Sequence, residues 1–533
     1  MSFVSCYVRE ALHYTAKQLK MDFQFEDTGF REFVKTLMAR KILVSVKKAE
    51  TEFEETDDEE IFRALNDNDL INDLSEFCFC FVGIAIYKKR IIYAYPKYIG
   101  VDDTLSKVEP QKELSQIIKV IDKYSRERVK QDIHDIDLFL DMDDKGENNI
   151  LPIIFFILED YAAYGLYTKF ESILENNGEG AIYWQKTIDE TYPIIENNAP
   201  FYIDFYTHKN VNDELDYIRR LHAYIVKKCA EEVQNTKLGD FFSLPNVDLI
   251  EFDGDDFSDK EYVLRRLEQE LNSVFEDRKV RLLKALYAYL NGNRVLTGEN
   301  EIQLIGTNSF NLVWEWVCAE VFKSQKDEYI NNIDILQSVD YTELPQKFCK
   351  PPTLVELIEK PLWEIDTDET HLIRASKTFI PDYLRFESVK LNGKKEYNFY
   401  ILDAKYYCMQ WTDKKIFKQP GAEDIVKQYM YFFYYKVFFE QNKISCKMKN
   451  YFLMPKPTHT DFRKGNASFD FLRNLDWGVI EVRLLDPVKM YGLCLEGKHL
   501  DLSELDNIES KVVVMKDDDG ILTAADKGKP YNI

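Results

Sequence analysis

The sequence predicts an α/β fold, α+β overall, from three observations. Residues Phe77 to Gly100 alternate in polarity on both sides of a basic break at Lys88 to Arg90, which is typical of a β-hairpin. Residues 109–293 have a mostly helical spacing of apolar positions. Residues Ile380 to Tyr407 have the pattern strand, turn and strand, with Asn-Gly at the turn, and a helical segment follows them.

Length and pattern divide the chain into three predicted domains. A chain of 533 residues is long enough for about two to four domains. Residues 1–108 are predicted to form an N-terminal α+β domain with the β-hairpin. Residues 109–300 are predicted to form a mostly helical middle region suited to partner docking, and residues 301–533 a domain built around the second hairpin.

The apolar periodicity also predicts where single elements lie. Helices are predicted at Gly29 to Lys41, Lys112 to Lys130, Leu151 to Asn176, Val211 to Asn235, Asp259 to Leu290, Asn308 to Phe322 and Gly421 to Asn442, and strands at Cys446 to Pro457 and Val479 to Leu485. The helix Asp259 to Leu290 is long and charged, so it either packs within the protein or forms an arm that reaches a partner.

Composition argues against several classes of protein. No apolar run approaches the ~20 residues of a membrane span, and no secretory signal peptide is expected. The nine cysteines include no CxxC pair and no clustered Cys and His residues, so a zinc site is not expected. This cysteine usage is typical of a reducing compartment, and we expect a cytoplasmic protein.

Charge is distributed unevenly along the chain. The formal net charge of −24 is unfavourable for binding nucleic acid over the whole surface. Residues 371–470 nevertheless contain 18 Lys and Arg against 10 Asp and Glu. This basic segment includes the second hairpin, which makes it the part of the chain best suited to a polyanion. The alternative is that these lysines only solvate surface loops.

Two carboxylates and an amine are predicted to meet at one end of the second hairpin. Asp403 and Lys405 are two residues apart on a strand, so their side chains emerge on one face. Asp382 begins the neighbouring strand, and the hairpin brings it back towards Asp403. Two carboxylates repel each other unless a cation or a proton lies between them. Asp382 and Asp403 are therefore candidate ligands of Mg²⁺, which prefers oxygen ligands.

This arrangement carries the groups needed for phosphodiester hydrolysis. A bound metal polarises the phosphate and activates water, and Lys405 can orient that water or stabilise negative charge in the transition state. A DxK triplet alone is not specific, and the alternative is an exposed ion pair of Asp403 with Lys405 worth under ~1 kcal/mol. The apolar residues before Asp403 predict a buried strand end, where a carboxylate costs stability unless it has a use.

Two helices offer further candidates. Glu315 lies on the predicted helix Asn308 to Phe322 and is either a third acidic metal ligand or a solvent-facing residue. Gln428 lies on the predicted helix Gly421 to Asn442 and either holds water or phosphate or is a simple surface residue. The chain has no GxxxxGK[ST] motif, so we expect no P-loop NTPase in it.

Several of these segments resemble one family. The stretches IPDYL, FYILDAKYY and QPGAEDIVKQYMYFFYY resemble the PD-(D/E)xK nuclease core of the LlaJI-type restriction endonucleases, a group similar to McrC, the nuclease subunit of McrBC-type restriction systems. FVGIAIYKKRIIYAYPKYIG and SFNLVWEWVCAEVF are similar to the same family, so the resemblance covers most of the chain in outline.

The resemblance implies a restriction-endonuclease-like fold for the C-terminal domain and assigns its site residues. It implies catalytic roles for Asp382, Asp403, Lys405, Glu315 and Gln428, and metal ligation by Asp382, Asp403 and Glu315. A related QxxxY pattern would place Tyr at position 432, where this chain has phenylalanine. The tyrosine of this chain is one position earlier, which puts a role for its hydroxyl in doubt.

The resemblance also implies a cofactor and partners. The expected cofactor is Mg²⁺, and GTP enters only through a partner, an McrB-like AAA+ GTPase ring on which the N-terminal region docks. The hairpin tip Lys88 to Arg90 is a candidate for the part that enters the ring. The expected substrate is double-stranded DNA, and cutting both strands favours dimerisation through the nuclease domain. The implied function is a Mg²⁺-dependent deoxyribonuclease subunit of a restriction system that defends against phage.

Two alternatives remain open from the sequence. One is a non-cleaving regulatory subunit that docks on an AAA+ GTPase ring and stimulates it. The other is a repair nuclease of the same fold. The intact Asp382, Asp403 and Lys405 argue against the regulatory subunit. The large acidic N-terminal region, far bigger than a nuclease needs, favours a role within a complex over a repair nuclease.

Overall fold

A computed structural model of the chain describes residues 3–46, 73–99, 110–129, 149–212, 216–236, 238, 257, 259–291, 302–366, 370–391, 393–412, 415–457, 464–473 and 478–506. The chain divides into two compact units. The first unit comprises Met1–Phe3, Ile86–Lys89 and Ile133–Ile305, and the second comprises Val4–Ala85, Arg90–Asp132 and Gly306–Ile533. The three-domain division stays a prediction.

Helices and strands alternate irregularly along the described residues, as in an α+β protein. The strands are β1 (Val4–Arg9), β2 (His13–Thr15), β3 (Leu43–Val46), β4 (Glu76–Phe79), β5 (Val82–Tyr87), β6 (Arg90–Tyr95), β7 (Phe170–Asn176), β8 (Ala181–Ile182), β9 (Ile194–Glu196), β10 (Ala199–Phe201), β11 (Tyr206–Asn212), β12 (Ile302–Thr307), β13 (Leu362–Asp366), β14 (Thr370–Arg374), β15 (Tyr383–Leu391), β16 (Lys394–Ala404), β17 (Gln410–Thr412), β18 (Lys415–Phe417), β19 (Lys447–Pro455), β20 (Lys464–Ala467) and β21 (Ile480–Leu485). The helices are α1 (Ala16–Asp22), α2 (Asp27–Ala39), α3 (Pro110–Val129), α4 (Leu151–Tyr164), α5 (Trp184–Glu190), α6 (Tyr217–Asn235), α7 (Lys260–Leu271), α8 (Asp277–Asn291), α9 (Phe310–Phe322), α10 (Ala422–Gln441), α11 (Asp470–Arg473), α12 (Pro487–Glu496) and α13 (Ser503–Asp506). The α+β class predicted from the sequence is confirmed.

The first unit contains a helical core and a small antiparallel sheet. Helix α4 packs against α6 and α8, and its apolar side chains are buried almost all round, as expected for a central helix. Its one buried acid, Asp160, forms two hydrogen bonds with the guanidinium of Arg278, at 2.9 and 2.8 Å. The sheet has the strand order β7-β11-β8.

Three helix predictions in this unit were too long. The predicted helix Val211 to Asn235 begins only at Tyr217, because Val211 and Asn212 belong to β11. The predicted helix Leu151 to Asn176 ends at Tyr164, because Gly165 adopts a φ of 75° and β7 follows. The predicted helix Asp259 to Leu290 is two helices, since α7 ends at Leu271 and α8 begins at Asp277. The two helices pack against each other, so the interpretation as an extended arm is wrong.

The predicted N-terminal hairpin is present. Strands β5 and β6 are neighbours in a sheet of order β1-β6-β5-β12, in which β1 runs parallel to β6. Lys88 has a φ of 54°, a conformation that tight turns require. The guanidinium of Arg90 donates to the carbonyl oxygens of Phe23 at 2.7 Å and Gln24 at 2.9 Å, in the segment that follows α1.

The second predicted hairpin is confirmed and forms one edge of a five-stranded sheet. The strand order is β15-β16-β19-β21-β20. Strand β15 is antiparallel to β16, while β16, β19 and β21 run parallel. Helix α10 follows β16 and leads to β19, as a parallel pair requires. Asn392 of the predicted turn lies outside the described residues.

An aromatic core holds α10 against this sheet. Phe399 and Ile401 of β16 lie in one buried cluster with Tyr435 and Phe439 of α10. The ring of Phe399 lies 4.8 Å from that of Tyr435 and 4.9 Å from that of Phe439, measured between centroids. Burying one such side chain contributes about 1.5–3 kcal/mol, so the position of α10 along β16 is strongly determined.

Among the helices that the structure describes, none is long and apolar enough to cross a bilayer.

Candidate active site

The strand register brings Asp382 and Asp403 together. Tyr383 pairs with Leu402 in the antiparallel ladder of β15 and β16, so the next pair outward is Asp382 with Asp403. The backbone N–H of Ala404 donates to Oδ2 of Asp382 at 3.0 Å. The two carboxyl groups are also hydrogen-bonded to each other. The predicted meeting of these two residues is therefore present in the fold.

Burial favours one proton shared between these two carboxyl groups. Asp403 is only 6% exposed. Loss of hydration raises its pKa well above the usual range, and the neighbouring Asp382 raises it further. Loss of hydration also raises the pKa of Asp382, although its hydrogen bond with Asp403 acts in the opposite direction. Both shifts favour protonation of the pair when no cation balances its charge.

Lys405 joins this pair to a third carboxylate. Its Nζ atom lies 2.9 Å from Oδ2 of Asp403 and 3.0 Å from Oδ1 of Asp424. Burial opposes the charge of the amine, but Asp403 and Asp424 together raise the pKa of Lys405. The side chain of Lys405 keeps 22% of its surface exposed, so the amine is charged, oriented and accessible. The exposed ion pair weighed as an alternative does not describe it, since Asp403 is buried.

Asp424 is a site residue that the sequence did not single out. It lies in the first turn of α10, where the positive end of the helix dipole stabilises an acid. Its second oxygen, Oδ2, accepts a hydrogen bond of 3.3 Å from the hydroxyl of Tyr407. The only signal in the sequence was an acidic first turn, which is common to many helices and does not indicate a partner.

Glu315 lies close to the carboxylate pair. It is half-buried on α9, and burial together with the charge of Asp403 raises its pKa. The helix is anchored at this point, because Trp314 Nε1 donates to the carbonyl oxygen of Leu453 at 3.3 Å and the backbone N–H of Lys405 donates to the same oxygen at 2.9 Å. Glu315 is thus only partly exposed to solvent, and its role as a third acidic ligand stays a prediction.

Gln428 is placed in the core beneath the site. Its side chain is fully buried, so the interpretation as a surface residue is wrong. Its Nε2 donates to Oδ1 of Asn450 at 2.6 Å and lies 3.4 and 3.3 Å from the carbonyl oxygens of Ile401 and Tyr451. These bonds tie α10 to β16 and β19 and do not involve Asp382, Asp403 or Lys405. A direct catalytic role for Gln428 stays a prediction.

The tyrosine at position 431 supports the turn before Asp382. Tyr431 is buried, and its hydroxyl donates to the carbonyl oxygen of Ile380 at 3.1 Å. Burial, and then the charges of Asp403 and Asp382, raise its pKa. Phe432 packs against the aromatic core. The tyrosine therefore lies one position before the place that the family pattern expects, and it contacts the backbone that leads into the site.

The donor set fits a hard divalent cation. Asp382 and Asp403 offer only oxygen atoms; Asp403 is buried and Asp382 is half-buried, and loss of hydration raises the pKa of both. Within the described residues, no group of three or more His, Cys, Asp and Glu side chains is arranged to hold a metal ion. The fit therefore rests on the carboxylate pair, and ligation by Glu315 stays a prediction.

Comparison with family models identifies one family for this chain. The model of a family described as the LlaJI restriction endonuclease matches residues 81–352 and 350–491. A relative from Bacillus subtilis (strain 168), the type II restriction enzyme BsuMI component YdjA, is 26% identical over 466 residues, which span 86% of this chain and 89% of the relative.

Two solved structures from Thermococcus gammatolerans are similar at low identity. One is a refined half-complex from a tetradecameric assembly of McrB AAA+ hexamers with bound McrC, with a TM-score of 0.34 and 13% identity over 92% of this chain and 99% of the other. The second is a cryo-EM structure of the McrBC complex, with a TM-score of 0.21 and 12% identity over 58% of this chain and 84% of the other.

Proposed function

The chain belongs to the LlaJI restriction endonuclease family, and we propose that it is the metal-dependent DNA endonuclease component of its restriction system. It hydrolyses phosphodiesters of double-stranded DNA with Mg²⁺ as the cofactor. The observation that carries this proposal is the half-buried Asp382 beside the buried Asp403, with the charged amine of Lys405 held 2.9 Å from Oδ2 of Asp403. The two carboxylates are the oxygen ligands that a catalytic metal ion requires, and the lysine is a positive charge beside them.

Each residue has a distinct proposed role. Asp382 and Asp403 hold the metal through carboxylate oxygens, and Glu315 adds a third carboxylate. When bound, Mg²⁺ supplies Lewis-acid stabilisation of the phosphate and lowers the pKa of water. The amine of Lys405 stabilises the negative charge that develops on the phosphate, because it is charged and already oriented before substrate arrives. Asp424 positions that amine from the opposite side.

DNA and a partner are part of the same proposal. The basic segment 371–470 supports DNA as the polyanion that is bound, while the net charge of −24 disfavours strong binding by the chain alone. The relative from B. subtilis is described as one component of a restriction enzyme, which supports a function shared with another chain. From the resemblance of the motifs, we propose an McrB-like AAA+ GTPase ring as that partner, with GTP bound only there. Cutting both strands requires two nuclease domains, so the proposal includes dimerisation of this chain through its nuclease domain.

Plasmid cleavage tests the proposal directly. Supercoiled plasmid is incubated with Mg²⁺ and the wild-type chain, Lys405→Ala or Lys390→Ala, each with and without the proposed McrB-like GTPase and GTP. Lys390→Ala is the matched control, since Lys390 is an exposed lysine near the opposite end of β15 from Asp382. We expect the wild type and the control to cut with the partner, and Lys405→Ala to lose about 10²- to 10³-fold in rate.

The same experiment decides between the proposal and the regulatory alternative. Cleavage by Lys405→Ala at the wild-type rate would remove the nuclease function from this site. If that chain also stimulates GTP hydrolysis by the ring, the role as a non-cleaving regulatory subunit takes its place. Removal of Mg²⁺ with EDTA is expected to stop cleavage and to leave the fold intact, which circular dichroism checks.

A further inference from the structure

A partly buried polar cluster surrounds the hydroxyl of Tyr406, the residue after Lys405, outside the carboxylate site. The hydroxyl of Tyr406 donates to Oε2 of Glu10 at 2.6 Å and accepts from the backbone N–H of Lys97 at 3.2 Å. The same N–H lies 3.3 Å from Oε2 of Glu10. The hydroxyl thus uses its donor and an acceptor position at once. Three segments distant in sequence meet at this one oxygen atom.

The N-terminal side of the cluster is rigid. Glu10 follows β1, and its backbone N–H donates to the carbonyl oxygen of Tyr95 at 2.8 Å. Lys97 follows β6, the strand that pairs with β1 in parallel. Glu10 also forms a bridge to Phe79 beside this sheet. Glu10 is therefore held by a backbone hydrogen bond at the end of β1, and Lys97 lies two residues beyond the end of the strand paired with it.

The other side of the cluster is the segment that carries Lys405. Tyr406 is 8% exposed, and its ring packs against Phe310 at 5.4 Å and Tyr98 at 6.3 Å between centroids. The Nζ atom of Lys97 lies 4.9 Å from the centre of the same ring. Strand β16 ends at Ala404, so Tyr406 lies beyond the regular ladder. Its side chain therefore adds an anchor beyond the last backbone hydrogen bond of this segment, which runs from the N–H of Lys405 to the carbonyl oxygen of Leu453.

We propose that Glu10 is a positioning residue for the catalytic lysine and acts through the hydroxyl of Tyr406. This rests on the proposed nuclease function. The hydrogen bond from Tyr406 to Glu10 holds the peptide after Lys405, which keeps the Lys405 amine between Asp403 and Asp424. A displacement of the N-terminal sheet is thereby transmitted to the lysine without any contact of Glu10 with substrate.

Four variants test this inference in the full chain with its partner. Glu10→Ala removes the acceptor, and Glu10→Gln keeps an acceptor oxygen of the same reach. Tyr406→Phe removes the donor. Tyr435→Phe is the matched control, since Tyr435 is a buried tyrosine whose hydroxyl donates to the carbonyl oxygen of Leu354 at 2.8 Å, in the aromatic core.

Three readouts separate positioning from a merely structural role. They are the turnover number for plasmid cleavage, the Kd for duplex DNA measured with Ca²⁺, and hydrogen exchange of peptides that cover residues 403–407. Glu10→Ala and Tyr406→Phe are each expected to lower turnover about tenfold, which corresponds to about 1.4 kcal/mol of transition-state stabilisation. The Kd is expected to stay constant, exchange at 403–407 to rise, and Glu10→Gln to restore both turnover and protection. The double variant Glu10→Ala with Tyr406→Phe is expected to be no slower than either single one.

The outcomes that overturn the inference differ from those that overturn the nuclease. If Lys405→Ala is inactive while Glu10→Ala turns over like the wild type, the nuclease stands and the positioning role is wrong. Loss of activity in Glu10→Gln equal to that in Glu10→Ala, or an equal loss in Tyr435→Phe, assigns the effect to stability and rejects positioning. If the wild type does not cleave more than Lys405→Ala, the nuclease proposal fails and the inference falls with it.

Discussion

The amine of Lys405 lies 3.0 Å from Oδ1 of Asp424, a contact that connects the end of β16 to the first turn of α10. The same amine contacts Asp403. A lysine between two carboxylates stays charged, and it is held at two points. The aromatic core fixes α10 against β16. Since Asp424 lies on α10, this packing also determines where the amine of Lys405 is held.

Asp424→Asn is expected to lower the pKa of Lys405, because one of the two carboxylates that raise it is removed. The alkaline limb of the pH–rate profile for DNA cleavage should therefore move to lower pH, and turnover at neutral pH should fall about tenfold or less. Glu423→Gln is the matched control, since Glu423 lies in the same first turn with a side chain that is 92% exposed. An equal shift of the alkaline limb in both variants would assign it to the general charge of the helix end.

Asp403→Asn is expected to stabilise the metal-free protein at neutral and alkaline pH. Burial and Asp382 raise the pKa of Asp403 in the folded state, so the stability that its protonated form contributes is present at low pH and is lost as pH rises through the folded pKa. Each unit of that rise corresponds to about 1.4 kcal/mol. Thermal unfolding in EDTA over a pH series should give a difference in Tm between variant and wild type that grows with pH.

The control for this stability experiment is Asp334→Asn. Asp334 forms an ion pair of 3.0 Å with Lys395, and both side chains are more than half exposed. Such a pair contributes about 0–1 kcal/mol, so the variant is expected to follow the wild type at every pH. A pH-independent Tm difference for Asp403→Asn would show that Asp403 is ionised in the folded, metal-free protein.

Binding of Mg²⁺ is expected to release a proton. The metal must replace the proton shared by Asp382 and Asp403, whose pKa values are both raised, so the apparent affinity should increase with pH until that proton is lost. Calorimetry in two buffers of different ionisation enthalpy measures the release directly. Asp382→Asn and Asp403→Asn should each bind Mg²⁺ more weakly and release fewer protons on binding. An affinity that does not change with pH would place the metal elsewhere.

The carboxylate pair could be predicted because its geometry is local. An Asn-Gly turn between two alternating segments determines the register of a hairpin, and the register alone places Asp382 beside Asp403. The contacts of Lys405 with Asp424 and of Tyr406 with Glu10 could not be predicted in this way. They join elements whose relative position is set by packing, and no periodicity in the sequence reports that packing.

The errors have physical causes of the same kind. The apolar spacing after Leu151 continues beyond Tyr164. The spacing therefore did not reveal that the helix ends where Gly165 adopts a positive φ. Likewise the charged segment after Asp259 stays helical in composition across its turn at Asn272. Glu315 and Gln428 were both open between buried and exposed positions, since helix periodicity alone does not reveal which face of α9 or α10 meets the sheet.

Gln428→Leu is expected to destabilise the fold and to leave the chemistry unchanged. The Nε2 atom of Gln428 donates to Asn450 and lies near two backbone carbonyl oxygens, and its loss leaves the buried Oδ1 of Asn450 without this donor. The expected cost is about 1–3 kcal/mol in the free energy of unfolding, measured by denaturant titration. Gln441→Leu, at the exposed last position of α10, is the control and should change stability by at most about 0.5 kcal/mol. Turnover per folded molecule should match the wild type in both variants. If turnover per folded molecule of Gln428→Leu falls more than tenfold, Gln428 has a role in catalysis as well as in stability.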